Sequence, residues 1–196
     1  MADWASMRYA VVDVEGNGQQ PPDLVEVAVV SIISGVIGDP TAWLIKPPRP
    51  ISPIVTRIHG LTNEDVASAP AFAAIASQVR QALDADLLVA HNAHIDVDVL
   101  RRHLDHWQCP EVVDTLKLAK RLLPGQASYK LGALVSELSL AEGLPAGLSP
   151  HRAAYDVLAT ARLFLHLASR GGTGFMQLEE LPGDKPGYHS DAPSLF

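Results

Sequence analysis

The stretch RYAVVDVEGNG, residues 8–18, sets two carboxylates inside a run of strand-forming residues and then breaks into glycines. Successive side chains of a strand point to opposite faces, so Asp13 and Glu15 project side by side. Like charges held that close raise each other's pKa unless something positive stands between them. A half-buried strand with an acidic solvent face produces the same pattern, so the meaning of the pair depends on what the rest of the chain brings to it.

Outward from this stretch, RYAVVDV (8–14), DLVEVAVVSII (23–33) and GDPTAWLIK (38–46) read as three strands of an antiparallel meander, joined by short turns rich in Gly, Pro, Asn and Asp. Residues 47–66 form an irregular connection with a short helix or two. PAFAAIASQVRQALDA (70–85) carries apolar residues at helical spacing behind a proline. DLLVA (86–90), with helical segments on both sides, reads as a buried parallel strand. HIDVDVLRRHLDHW, VVDTLKLAKRLL, KLGALVSEL and HRAAYDVLATARLFLHLAS supply further helices, with VVD (112–114) open to a fifth strand. A meander followed by alternating helices and strands makes an α/β domain with a mixed sheet. The domain spans 8–170, between an N-terminal extension (1–7) and a flexible Gly/Pro-rich acidic tail (171–196).

Composition narrows the function classes. In 196 residues, 47% are hydrophobic and 19% charged, as expected of a single globular domain. The apolar runs fall short of the ~20 residues of a membrane span, and MADWASM does not look like a secretory signal. The lone Cys109 excludes an internal disulfide and a cysteine metal cluster, which fits a cytoplasmic location. A net charge of −7 argues against a broad basic surface, although Arg101, Arg102, Lys117, Lys120, Arg121 and Lys130 are close in sequence and offer a modest phosphate-facing patch.

Partners for the first two carboxylates come from later in the chain. DLLVA runs into HNAHID, which sets His91, Asn92 and Asp96 at a strand's C-terminal end, where sites of open α/β sheets gather. SPHRAAYD carries His151 and Asp156 five residues apart, about 140° around a regular helix. They can meet only if His151 lies before the helix start, as Pro150 suggests.

Asp13-x-Glu15, Asp96 in HNAHID and His151 with Asp156 in HRAAYD, together with IHGLT (58–62), VVDTLKLAKRLLPG (112–125) and KLGALVSEL (130–138), resemble the DEDDh exonucleases, the superfamily of RNase T and of the polymerase III proofreading subunit. The resemblance covers residues from about 8 to 168 and implies a ribonuclease H-like mixed sheet flanked by helices. It also implies a 3′→5′ exonuclease that acts on nucleic acid with a free 3′ end and releases nucleoside 5′-monophosphates. Two divalent ions, Mg²⁺ or Mn²⁺, are expected on four carboxylates: Asp13 touching both, Glu15 and Asp156 on the ion that generates the nucleophile, and Asp96 on the other. His151 is the expected general base. Gly16, Asn17, His59, Leu61 and Asn92 are the expected nucleotide contacts.

Two departures concern the substrate pocket. Relatives commonly follow the catalytic Glu with Thr-Thr-Gly, whereas this chain has Gly16-Asn17-Gly18; and Ile95 stands where many have Phe. The altered loop is the one feature in favour of a non-catalytic binding module that retains the fold, against which the complete five-residue set speaks. The 101–130 basic cluster permits a homodimer whose subunits feed each other's sites, and the class also serves replication or repair complexes. The terminal Ser-Leu-Phe partly resembles sliding-clamp docking peptides, without their leading Gln.

Overall fold

The computed structural model describes residues 6–170. The expected tail and its Ser-Leu-Phe terminus lie outside the described residues, as do residues 1–5, while Met7 already packs against the core. β1 (Arg8–Gly16) runs through the middle of a sheet ordered β3-β2-β1-β5-β6. β2 (Leu24–Ile33) pairs with it antiparallel, placing Ala28 opposite Asp13 and Glu26 opposite Glu15. The register slips between Glu15 and Gly16, an irregularity of the kind that re-aims side chains beside functional sites.

The third expected strand (38–46) is β4 (Thr41–Leu44), shorter than expected, and an unexpected two-residue strand, β3 (Val36–Ile37), precedes it. Both pair antiparallel with β2, and the break between them falls at Gly38-Asp39-Pro40. There the Gly38 N–H turns to the Ser31 carbonyl (2.9 Å), and Pro40 has no N–H to give a ladder. β5 (Leu87–Ala90) and β6 (Glu111–Asp114) add to the other side in parallel, so the VVD segment is a strand. All four residues of β5 are buried, as its unbroken apolar run predicts.

Strand alternation sorts the core into two layers. Tyr9, Val11, Ala28, Val30 and Ile32 face α4 (Thr115–Leu122), α5 (Leu131–Glu137) and α6 (Ala153–Ser169). Ala10, Val12, Val27 and Val29 face α2 (Phe72–Ala82) and α3 (His94–His103). The small residues Ala153, Ala159 and Ala161 are fully buried where α6 packs on β1 and β2, and Phe164 meets the Tyr9 ring at 4.8 Å between centroids. A smaller cluster, Val25, Ile51, Val55, Leu61 and Val66, lies beneath α1 (Pro53–His59). Gly18 has φ +76°, and a Cβ there would stand 2.5 Å from Ser52 Oγ, so only glycine lets the loop after β1 lie against the start of α1.

The β1–β5 ladder covers only Tyr9–Val11. β1 therefore outruns its parallel neighbour, and its last residues stand beside the point where β5 gives way to α3.

Candidate active site

Asp13 and Glu15 are odd-numbered residues of β1 and so face the layer that contains α6. Asp156 comes from the first turn of that helix. Ligand-capable oxygens of the three carboxylates lie within 4.8 Å of one another. Asp96 arrives from α3, on the other layer, and is 5% exposed. Its Oδ1 accepts the Val14 N–H at 3.1 Å, using a backbone donor that the overhanging strand leaves without a partner strand.

The four carboxyls push one another toward the protonated form. Burial is the main cause for Asp13, which rises well above the ordinary range, with Asp96, Glu15 and Asp156 adding repulsion. Burial followed by Asp156 and Glu26 carries Glu15 to about 9. Asp96 is pushed up to about 8 by burial, although the Val14 N–H works the other way. Burial raises Asp156 to about 6, with the His151 imidazole and backbone holding it down and Glu26 adding repulsion. A half-buried set of hard oxygen donors with this deficit of positive charge fits one or more divalent cations.

His151 is outside the helix, as Pro150 suggested. It is exposed and has φ +63°, in the left-handed region that non-glycine residues seldom enter. Arg152 follows in extended conformation at the N-cap position of α6.

The five expected nucleotide contacts fare differently. Gly16 lies where a Cβ would come within 3.2 Å of Pro22 Cβ. The Asn17 side chain is fully buried and already engaged: Nδ2 donates to Asp23 Oδ2 (2.8 Å) and the Arg49 carbonyl (3.2 Å), while Oδ1 accepts from the N–H groups of Gln19 and Asp23. Leu61 is 3% exposed within the small apolar cluster. Neither side chain is thus presented to a ligand; the first braces its loop and the second fills a core. His59 Nδ1 accepts the Leu61 N–H at 3.0 Å, and burial lowers the ring's pKa, an effect the Gly16 backbone partly offsets. Its Nε2 is buried without a hydrogen-bond partner among the described residues. Asn92 has φ +65° and donates its N–H to Asp114 Oδ1 at 3.1 Å. Ile95, beside Asp96, is half exposed.

Two residues near the site escape a reading of the sequence. Glu26, 2% exposed, accepts Arg152 Nε (3.0 Å) and Nη2 (2.7 Å) and the Ala153 N–H (3.0 Å). Its visible signal is an acid in an otherwise apolar strand, EVAVV, but the partner is 126 residues away. Asp114, 1% exposed, caps α4 through the Leu116 N–H and ties the Asn92 turn to β6. An Asp before a helical run is an N-cap signal. The basic cluster, by contrast, is divided by the sheet: Arg101 and Arg102 ride on α3, whereas Lys117, Lys120 and Arg121 ride on α4.

No helix among the described residues is long and apolar enough to cross a membrane. Residues 10–164 match the RNase T-type family model described as Exonuclease. The chain is 36% identical over 173 residues to Exodeoxyribonuclease 10 of Escherichia coli (strain K12), covering 88% of this chain and 74% of that protein. It is 33% identical over 170 residues to the 3′-5′ exonuclease DinG of Bacillus subtilis (strain 168), covering 83% of this chain and 18% of that protein. Among solved structures it is similar to Exonuclease X in complex with 5′-overhanging duplex DNA, with a TM-score of 0.74 and 35% identity, over 88% of this chain and 96% of that one.

Proposed function

The chain belongs to the exonuclease family whose model its residues 10–164 match, and from that premise we propose that it is a metal-dependent 3′→5′ exonuclease that trims DNA ends and releases nucleoside 5′-monophosphates. The observation that carries this reading is the cluster of Asp13, Glu15 and Asp156, half-buried carboxylates whose oxygens converge within 4.8 Å of one another. DNA is preferred over RNA because relatives at 36% and 35% identity are named as an exodeoxyribonuclease and as a complex with duplex DNA. Because the chain spans only 18% of DinG, membership of a larger replication or repair assembly is part of the proposal and not of the family assignment.

Two divalent ions, Mg²⁺ or Mn²⁺, would be held by Asp13, Glu15 and Asp156, with Asp96 completing the set from α3. When bound they neutralise the phosphodiester and make a water more acidic. The chain's own groups do the rest. The Val14 N–H fixes one Asp96 oxygen by a 3.1 Å hydrogen bond. Partial burial of the carboxylates weakens their screening by bulk water. His151, on its exposed loop beside Asp156, takes the proton of the attacking water once a strand end closes over it. Gly16 lets the backbone approach the terminal nucleotide.

The test is digestion of 5′-labelled DNA and RNA oligonucleotides, single- and double-stranded, with Mg²⁺, Mn²⁺ or chelator. A metal-dependent ladder receding from the 3′ end, absent from Asp13→Ala and His151→Ala, is expected. A folded, metal-binding protein that cuts none of these substrates overturns the reading in favour of a binding module.

A further inference from the structure

Glu26, buried, and Arg152, partly exposed, form an ion pair beside the carboxylate cluster, and the catalytic set proposed above does not use it. Glu26 sits on β2 directly across from Glu15, on the same face of the sheet. Its side chain is 3% exposed and Arg152's is 34% exposed, so the pair is largely withdrawn from water. The geometry is the two-pronged match of guanidinium and carboxylate, at 3.0 and 2.7 Å, which specifies orientation as well as charge. The oxygen that takes Nε also takes the Ala153 N–H, the first donor of α6. The helix has no capping hydrogen bond from its own N-cap side chain; a carboxylate 127 residues away on the central sheet supplies one.

The consequences fall on the two neighbours of that anchor. His151 precedes Arg152 and carries the strained left-handed backbone. Asp156 follows, its N–H bonded to the Arg152 carbonyl at 3.0 Å. A strained residue persists only where its surroundings over-determine it. Here the residue next to it is pinned at both side chain and backbone. We infer that Glu26 and Arg152 are positioning residues, a clamp from β2 to the start of α6 that holds His151 and Asp156 in working register with Asp13 and Glu15. Neither touches the substrate; both act through the residues they seat. The inference rests on the exonuclease reading.

Kinetics on a 3′-ended DNA oligonucleotide with saturating Mn²⁺ decide it, with wild type, Asp13→Ala, Arg152→Gln, Arg152→Lys and Glu26→Gln measured well below the melting temperature of each. Misplacing a reacting group by about 1 Å costs on the order of 10²-fold. Arg152→Gln should therefore lose about 100-fold in kcat with KM within about twofold, and Arg152→Lys, which keeps the charge without the fork, should recover part of that loss. Glu26→Gln, which keeps an accepting oxygen for the Ala153 N–H, is the variant least disposed to unfold and should fall between them. Folded Arg152→Gln and Glu26→Gln enzymes with wild-type kcat overturn the clamp while leaving the exonuclease reading intact. An inactive wild type, no different from Asp13→Ala, overturns the reading and the clamp with it.

Discussion

Single residues in this site trade stability for chemistry. Asp13 lies at the centre of the repulsion, so Asp13→Asn, nearly the same shape without the charge, should raise the melting temperature of the metal-free protein. It should also abolish cleavage, by about a thousandfold or more given the several kcal/mol that metal-held charge contributes. Thermal unfolding in chelator beside an oligonucleotide digest reads both effects, and a variant that is less stable than wild type contradicts the account. His151→Ala removes the proposed general base and should cost about 10²–10⁴-fold in kcat with little change in stability, since the ring is exposed. Leu61→Ala behaves in the opposite manner: the side chain is buried among Val25, Ile51, Val55 and Val66, so urea denaturation should show a loss of about 2–5 kcal/mol. The acids were legible because strand alternation and helix position give each a face. Asn17 was not, since its amide is satisfied only once the loop has folded back on Asp23 and Arg49.

Elements show where pattern suffices and where it does not. β5 announces itself by an unbroken apolar run, whereas α6 buries ten positions, five of them consecutive from Val157 to Ala161, as a helix covered on most sides does. The two-residue β3 lies before the expected third strand, yet it pairs with the same neighbour as β4, which only the assembled sheet decides. The basic stretch is close in sequence but belongs to helices on opposite layers, so nearness along the chain misstated nearness in space. Asp114 joins β6, α4 and the turn before α3. Asp114→Ala removes that cap and leaves the Asn92 N–H without its acceptor, and a destabilisation near the upper end of the ~0.5–2 kcal/mol range for lost caps is expected in urea. Activity should fall as well, because α3 carries Asp96.

For the whole molecule, folding gathers carboxyls that are far apart in the unfolded chain. Their folded pKa values, about 6 for Asp156, about 8 for Asp96 and about 9 for Glu15, stand above the ~4 of unfolded carboxyls. The folded state then binds more protons than the unfolded one, so stability is greatest below that unfolded value and is lost as pH rises through the folded ones. In chelator the melting temperature should fall between about pH 6 and about pH 9. The increment from added Mn²⁺ should grow over the same window, since fewer protons must be displaced. A metal increment that is flat across this range contradicts the assignment of these acids as ligands.

The place of α6 in the chain has a consequence for biosynthesis. This helix covers the central strands and carries both Asp156 and the turn that holds His151, yet it follows every other described element in the order of translation. Domains fold as units while the ribosome delivers them from the N-terminal end. A nascent chain that already displays Asp13, Glu15 and Asp96 lacks the helix that covers its core and the last two of the five proposed catalytic residues. On the proposed reading, cleavage is expected to begin only after residue 169 has cleared the exit tunnel.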